Sequence, residues 1–185
     1  MFKKIAIIVV ALMMMASASA AEDKEVPFLL SIITPIAIPM GADNVNGMRL
    51  NLIYGSNKNV GGVDFGLIQQ ITGKGDGTQI GALNIAESMD GPQFGIIGNN
   101  AKNINGPQIA VGGNNADKID GAQLSILFNY AAELGELQFS IINRTLNLGG
   151  IQVGLFNFAD KSGGTQVGLL NFANGKMIPF YYSNK

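Results

Sequence analysis

Apolar and polar residues alternate along most of this chain in a unit that repeats every 14 or 15 residues. The two clearest copies read GIQVGLFNFA and GTQVGLLNFA, fourteen residues apart. We count the positions of a repeat from its glutamine, which is position 0. Two weaker copies come first and carry Arg49 and Asp64 at position 0. A tandem repeat this short predicts an architecture of stacked units. The glutamines are Gln79, Gln93, Gln108, Gln123, Gln138, Gln152 and Gln166.

The residues that follow each Gln predict a β-strand. Positions +1 and +3 are apolar, as in Ile80 and Ala82, and the residue between them is Gly, Ala or Ser in each copy that has the Gln. Such a period of two is typical of a strand with one buried face, and Gly at so many positions argues against a helix. We therefore expect the +1 and +3 side chains to fill the interior. The Gln and +2 residues would then form a flat, weakly charged strip outside.

An asparagine recurs at a fixed place in each repeat. It follows the Gln by five or six residues and always precedes the next Gln by nine. The extra residue of the longer copies thus falls between the strand and the Asn, as expected for a bend or bulge. Glycines two residues before most glutamines fit turns that need positive φ. We expect the Asn column to form an internal ladder, with a sugar-binding surface as the alternative. Its members are Asn84, Asn99, Asn114, Asn129, Asn143, Asn157 and Asn171.

Two all-β folds are compatible with this repeat. In a β-solenoid each copy is one coil, and identical positions stack about 4.8 Å apart. In an antiparallel outer-membrane β-barrel each copy is one strand of about 9–11 residues with a continuous lipid-facing column. Here the apolar column runs into the Asn, and the turns are uniformly short. We predict a β-solenoid with atypical capping ends, and keep the barrel as the alternative.

The two ends of the chain differ from the repeats. Lys3 and Lys4, the apolar residues 5–15 and the small residues 18–20 are typical of a secretory signal peptide, and the apolar run is too short to span a membrane. We assign residues 1–20 to the signal peptide, 21–47 to an N-terminal cap segment, 48–175 to the repeat domain and 176–185 to a C-terminal cap. Caps are expected because an open solenoid end promotes aggregation.

Composition removes several classes of function. The chain has no His and no Cys, which excludes His-based triads, disulfides and thiolate metal sites. Loss of residues 1–20 would leave a net charge of −3 without a basic patch, so we expect no nucleic-acid partner. We predict no catalytic, cofactor-binding or metal-binding residues, no cofactor and no enzymatic activity.

Two features are candidate sites. Asp64 replaces Gln within a repeat strand, which suggests an acid or a calcium ligand. We favour a structural alternative, an exposed strand carboxylate paired with Arg49 one repeat away. Residues 73–77, GKGDG, resemble a phosphate or calcium loop but lack the spacing of either motif, so we interpret them as a turn.

The motif order resembles a group of exported bacterial surface-repeat proteins with GLQIGLxN-type tandem repeats. The resemblance rests on MRLNLIYGSNKNVGGVDFGLI at residues 48–68, the G-x-Q copies and the terminal IPFYY. The middle copies depart from it, with Gly-Asn-Asn at residues 98–100 and 113–115. The group has no assigned enzymatic activity, so the resemblance implies export and envelope association and adds no site.

Together these observations predict an exported envelope or surface repeat protein with a structural or adhesive role. Its place would be the periplasm, the outer membrane or the cell surface, and membrane association remains open. The partner is unknown, and candidates are an envelope polysaccharide, a host surface or another envelope protein. The alternative is a small integral outer-membrane barrel protein.

Overall fold

The computed structural model describes residues 24–184, so the expected signal peptide lies outside the described residues. All secondary structure elements in this range are strands. No helix of the described residues is long and apolar enough to cross a membrane. The strands are β1 (Glu25–Ile33), β2 (Ile36–Ile38), β3 (Asn44–Asn57), β4 (Asn59–Asp90), β5 (Gln93–Asn105), β6 (Gln108–Ala110), β7 (Gly113–Asp120), β8 (Ala122–Ser125), β9 (Phe128–Leu134), β10 (Leu137–Phe139), β11 (Ile142–Leu148), β12 (Ile151–Val153), β13 (Phe156–Ser162), β14 (Thr165–Ala173) and β15 (Lys176–Ser183).

Consecutive repeats stack in parallel with identical positions in register. Gln138 lies beside Gln152 in the pairing of β10 with β12, and Asn143 lies beside Asn157 in the pairing of β11 with β13. About ten such coils form a β-solenoid, which confirms the predicted fold. The barrel alternative is wrong, because its strands would pair antiparallel with their neighbours, whereas the repeats pair in parallel.

Two stacks of short strands form the walls of the middle and later coils. Strands β6, β8, β10, β12 and β14 carry the Gln positions, and β7, β9, β11, β13 and the end of β14 carry the Asn positions. A bend between the stacks holds positions +3 and +4 in the 15-residue copies and positions +2 and +3 in the 14-residue copies. Where a 14-residue copy meets a 15-residue copy, the register shifts between Gly81 and Leu83, at this bend. The predicted location of the extra residue is thus confirmed.

The interior contains the glutamines and not their apolar neighbours. All seven repeat glutamines are 0% exposed, whereas Phe94 and Ile96 are 38% and 65% exposed. The predicted period of two is correct, but the assignment of its two faces is wrong. Positions +1 and +3 face outward, and the expected outer strip of Gln and small residues lies inside.

The narrow interior explains this reversal. A Cβ added at Gly81 would lie 2.6 Å from the carbonyl oxygen of Gly66 and 2.9 Å from Oδ1 of Asn84. Gly81 therefore has no room even for a Cβ, and in the seven Gln copies position +2 is Gly, Ala or Ser. The large apolar residues beside it have room only outside. The interior side chains of successive coils lie so close together that the Gln and Asn amides bond to the identical residues of the neighbouring coil.

A smaller apolar core lies on the Asn side of each coil. It consists of two columns, one of alanines and one of larger residues. The alanines recur two residues after the Asn, but their burial was not predicted. The alanines are Ala86, Ala101, Ala116, Ala131, Ala159 and Ala173, and the larger residues are Met89, Ile104, Ile119, Leu134 and Leu148. The interior is thus divided into a polar half and an apolar half.

Strands that depart from the repeat close both ends. β1 pairs in parallel with β3, and β2 folds back antiparallel on β1. β15 pairs antiparallel with β14, so the last coil presents no unpaired strand to a further parallel coil. These strands occupy the segments that sequence analysis assigned to caps.

Candidate functional site

The buried glutamines form one continuous ladder of side-chain amides. Each Nε2 donates to Oε1 of the Gln one coil earlier, over 2.6–2.8 Å from Gln166 down to Gln79. Parallel stacking in register makes this possible, since identical amides lie one strand spacing apart. All the amide dipoles therefore point the same way, with their N–H ends toward the N-terminal coils.

A buried ion pair ends the Gln ladder at its N–H end. Gln79 Nε2 donates to Oδ2 of Asp64 over 3.1 Å. Asp64 also accepts from Arg49, at 2.7 Å from Nε and 2.5 Å from the second terminal nitrogen, and from Asn51 Nδ2 at 3.0 Å. Arg49 and Asp64 are 0% and 1% exposed. The expected pairing is confirmed, but the expected exposure of Asp64 is wrong.

This environment makes Asp64 a structural charge. Four hydrogen bonds reach its two oxygens, which is the accepting capacity of a carboxylate. The positive ends of the aligned Gln dipoles face the carboxylate, and Arg49 neutralises it. No lone pair remains for a calcium ion or a reacting proton, so the geometry does not favour the acid or calcium-ligand interpretation.

The asparagines form a second internal ladder that runs in the opposite direction. Each Nδ2 donates to Oδ1 of the Asn one coil later, over 2.7–3.2 Å from Asn84 to Asn171. The same nitrogens donate to a backbone carbonyl of the next coil, as Asn129 does to Phe139 at 3.0 Å. The ladder interpretation of the Asn column is confirmed, and these side chains present no sugar-binding surface.

Residues 73–77 lie within β4, so interpreting GKGDG as a turn was wrong. The Lys74 amide donates to Oδ1 of Asn59 in the preceding coil over 2.8 Å. This contact holds the segment in the stack. Among the residues that the structure describes, no group of three or more acidic side chains is placed to hold a metal ion.

The feature with most capacity for binding is an uncharged outer surface. We define the apolar side as positions −1 to +5 of the nine repeats from Arg49 to Gln166. It contains no charged residue except the buried Arg49 and Asp64. Each other charged residue between residues 48 and 176 lies at positions +6 to +13, on the opposite part of the coil. The solenoid is therefore amphipathic around its circumference.

The most exposed part of the apolar side consists of positions +3 and +4, at or directly after the bend, and we call it the apolar ridge. Ile96 and Ile97 are 65% and 67% exposed, and Ile126 and Leu127 are 57% and 56% exposed. Beside the ridge, a groove of about 700 Å³ runs over Gly66, and its walls are formed by +1 and +3 side chains. Other exposed members of the ridge are Leu52, Ile53, Leu67, Ile68, Val111, Ile141, Ile142, Leu155 and Leu169.

Both caps continue the apolar side. Phe28 and Leu30 of β1 are 45% and 38% exposed, and Phe180 and Tyr181 of β15 are 70% and 58% exposed. In the register of β15 on β14, Tyr181 lies beside Val167 at position +1. The uncharged surface thus extends from the first described strand to the last.

The opposite side has charges of both signs. Lys102 Nζ lies 2.7 Å from Glu87 Oε1, and an Arg144 nitrogen lies 2.8 Å from Asp160 Oδ2. The hydrogen bond and charge of Glu87 raise the pKa of Lys102. These contacts join successive coils and leave no surplus of one sign along the side.

Comparisons of the chain with protein-family models, with curated proteins and with solved structures find no match. The sequence does contain the signal for the apolar side. Apart from Arg49 and Asp64 at position 0, charges are absent from positions −1 to +5 in nine successive repeats, a pattern visible once the repeats are aligned.

Proposed function

We propose that this chain is an exported repeat protein of the bacterial cell envelope that binds its partner through the apolar side. Its role is structural or adhesive. The secretory pattern of residues 1–20 supports export. The observation that carries the binding role is the apolar ridge, most of whose side chains are half or more exposed over many coils.

The size of the apolar side supports a binding role. Nine coils at about 4.8 Å and seven residues at about 3.3 Å each give a surface on the order of 1,000 Å². The largest apolar patch of a typical monomeric protein is about 300–600 Å² and is often functional. Exposure of this many large apolar side chains costs solubility, which a partner that covers them would restore.

A non-catalytic role agrees with the chemistry of the described residues. Asp64, the acid that the repeat brings inside, is fully hydrogen-bonded. The remaining acids are spread along the charged side, and several are paired with lysine or arginine. A rigid stack of coils provides a long surface, and it needs no reactive group to do so.

Fractionation of expressing Gram-negative cells tests this function. The full chain is compared with the double variant Ile96→Lys/Ile126→Lys, which places two charges on the apolar ridge. The matched control is Asn103→Lys/Asn147→Lys, which adds the same charge to exposed positions of the charged side. We expect the wild type and the control in the envelope pellet and the ridge variant in the soluble periplasmic fraction. Wild-type protein that stays in the cytoplasm, or a ridge variant that pellets as the wild type does, would overturn the proposal.

A further inference from the structure

We propose, resting on the envelope-binding function above, that the partner of the apolar side is the hydrocarbon of one membrane leaflet. The solenoid lies with its axis along the membrane surface, and the apolar ridge is inserted below the lipid headgroups. The charged side faces water. This is the arrangement of an amphipathic helix at an interface, carried by a β-solenoid.

The apolar side lacks the groups that recognise a protein partner. Its strands are hydrogen-bonded to the coils before and after them, so the middle coils offer few free backbone groups. Its outward polar side chains are hydroxyls, as in Tyr54, Thr78 and Thr165, and Tyr54 already donates to Gln70. Typical protein interfaces contain about ten hydrogen bonds and a polar rim. Hydrocarbon is the partner that requires none.

The shape of the ridge argues against a second copy as the partner. The most exposed side chains lie on a bend between two walls, so the surface is convex along the ridge itself, beside the groove. Two copies that met at their ridges would touch along a line of side chains. A stable interface needs about 800 Å² per partner, which such a line does not supply. A fluid leaflet, in contrast, adapts to a convex surface.

The charge distribution specifies the kind of lipid surface. Lysines and acids alternate between coils on the charged side, as in the pairs of Lys102 with Glu87 and of Lys118 with Glu133. No basic surplus adjoins the apolar side, so anionic lipids gain nothing over neutral ones. Binding should therefore occur on neutral phosphatidylcholine vesicles and change little between about 0.01 M and about 1 M salt.

The absence of tryptophan from the chain allows a site-specific test. Two single variants of the full chain are compared, Ile97→Trp on the ridge and Asn103→Trp on the charged side. Residues 1–23 are identical in both, so an effect of that segment is shared. With phosphatidylcholine vesicles, we expect a blue shift for the ridge tryptophan and quenching by brominated acyl chains. The tryptophan at position 103 should show neither, and Ile96→Lys/Ile126→Lys should weaken vesicle binding about tenfold or more.

Each of the following results would overturn the inference. Equal response of both tryptophans would mean that the ridge is not the inserted surface. Binding that needs phosphatidylglycerol and is lost in high salt would mean electrostatic attachment. No response of the ridge tryptophan to lipid, with a concentration-dependent dimer in sedimentation, would mean that a second copy covers the ridge. If vesicle binding fails while the fractionation result holds, the envelope-binding function stands and its partner is not lipid.

Discussion

The side-chain amide of Gln79 donates to the carboxylate of Asp64 over 3.1 Å, and this contact joins the Gln ladder to the buried ion pair. Seven aligned amides would otherwise end with an unpaired N–H inside the protein. The carboxylate accepts that N–H at the positive end of the dipoles, and Arg49 balances its charge. The first coils thus differ from the repeat because they terminate the ladder.

Removal of the carboxylate should destabilise the solenoid strongly. Asp64→Asn leaves the Arg49 guanidinium buried without a counter-charge, and breaking a buried pair in this way costs about 3–5 kcal/mol. Urea unfolding followed by circular dichroism measures the loss. Glu87→Gln is the control, since it breaks an exposed ion pair and should leave the unfolding midpoint unchanged. A midpoint for Asp64→Asn that equals the wild type would contradict the structural role.

Truncation within the Asn ladder should also lower stability. Asn129 donates to Gln123 O, Phe139 O and Asn143 Oδ1 at 3.0, 3.0 and 3.2 Å. Asn129→Ala removes these bonds from a buried position, and we expect a loss of about 1–3 kcal/mol in the free energy of unfolding.

Asn115→Ala is the matched control for the Asn ladder, because this Asn bonds to Asn100 on the exposed surface. Denaturant titration of both variants separates the buried ladder from the exposed pair. Equal losses in the two variants would argue against an internal ladder.

The small residue at +2 should be a strict requirement. Gly81→Val places side-chain atoms against Gly66 O and Asn84 Oδ1 in a closed interior, and such overpacking typically costs about 1–3 kcal/mol. Ile96→Val, directly after the corresponding glycine of the next coil, changes an exposed ridge residue and should cost less than about 0.5 kcal/mol. Thermal unfolding of the two variants tests this. A Gly81→Val protein as stable as the wild type would mean that the interior is wider than described.

The sequence predicted the period, the solenoid and the Asn ladder, because each follows from where residues recur. It did not decide which strand face is inside. A period of two fits either face, and a shift of one residue exchanges them. The expectation that Ile80 and Phe94 are buried used the usual preference for apolar interiors. In this coil the close approach around Gly81 prevails over that preference.

One sequence feature did indicate which face of the strand lies inside the coil. Position 0 is Gln in seven successive copies, whereas +1 varies among Ile, Phe, Leu and Val. A hydrogen-bonded ladder needs the same amide side chain at one position of every coil, since each side chain bonds to the identical residue of the neighbouring coil. Arg49 and Asp64 in the same column give opposite charges one coil apart. That pairing was expected. Its burial was not, because it depends on which face of the strand lies inside the coil.

The most direct test of the account exchanges polarity at two adjacent positions, one inside and one outside. Gln138→Leu keeps the size of the side chain but leaves the amide of Gln152 without its acceptor and that of Gln123 without its donor. Phe139→Gln changes a side chain that is 54% exposed. Urea unfolding should show a loss of about 2 kcal/mol or more for Gln138→Leu and little change for Phe139→Gln. A stable Gln138→Leu protein and an unfolded Phe139→Gln protein would place the apolar residues inside and contradict the account.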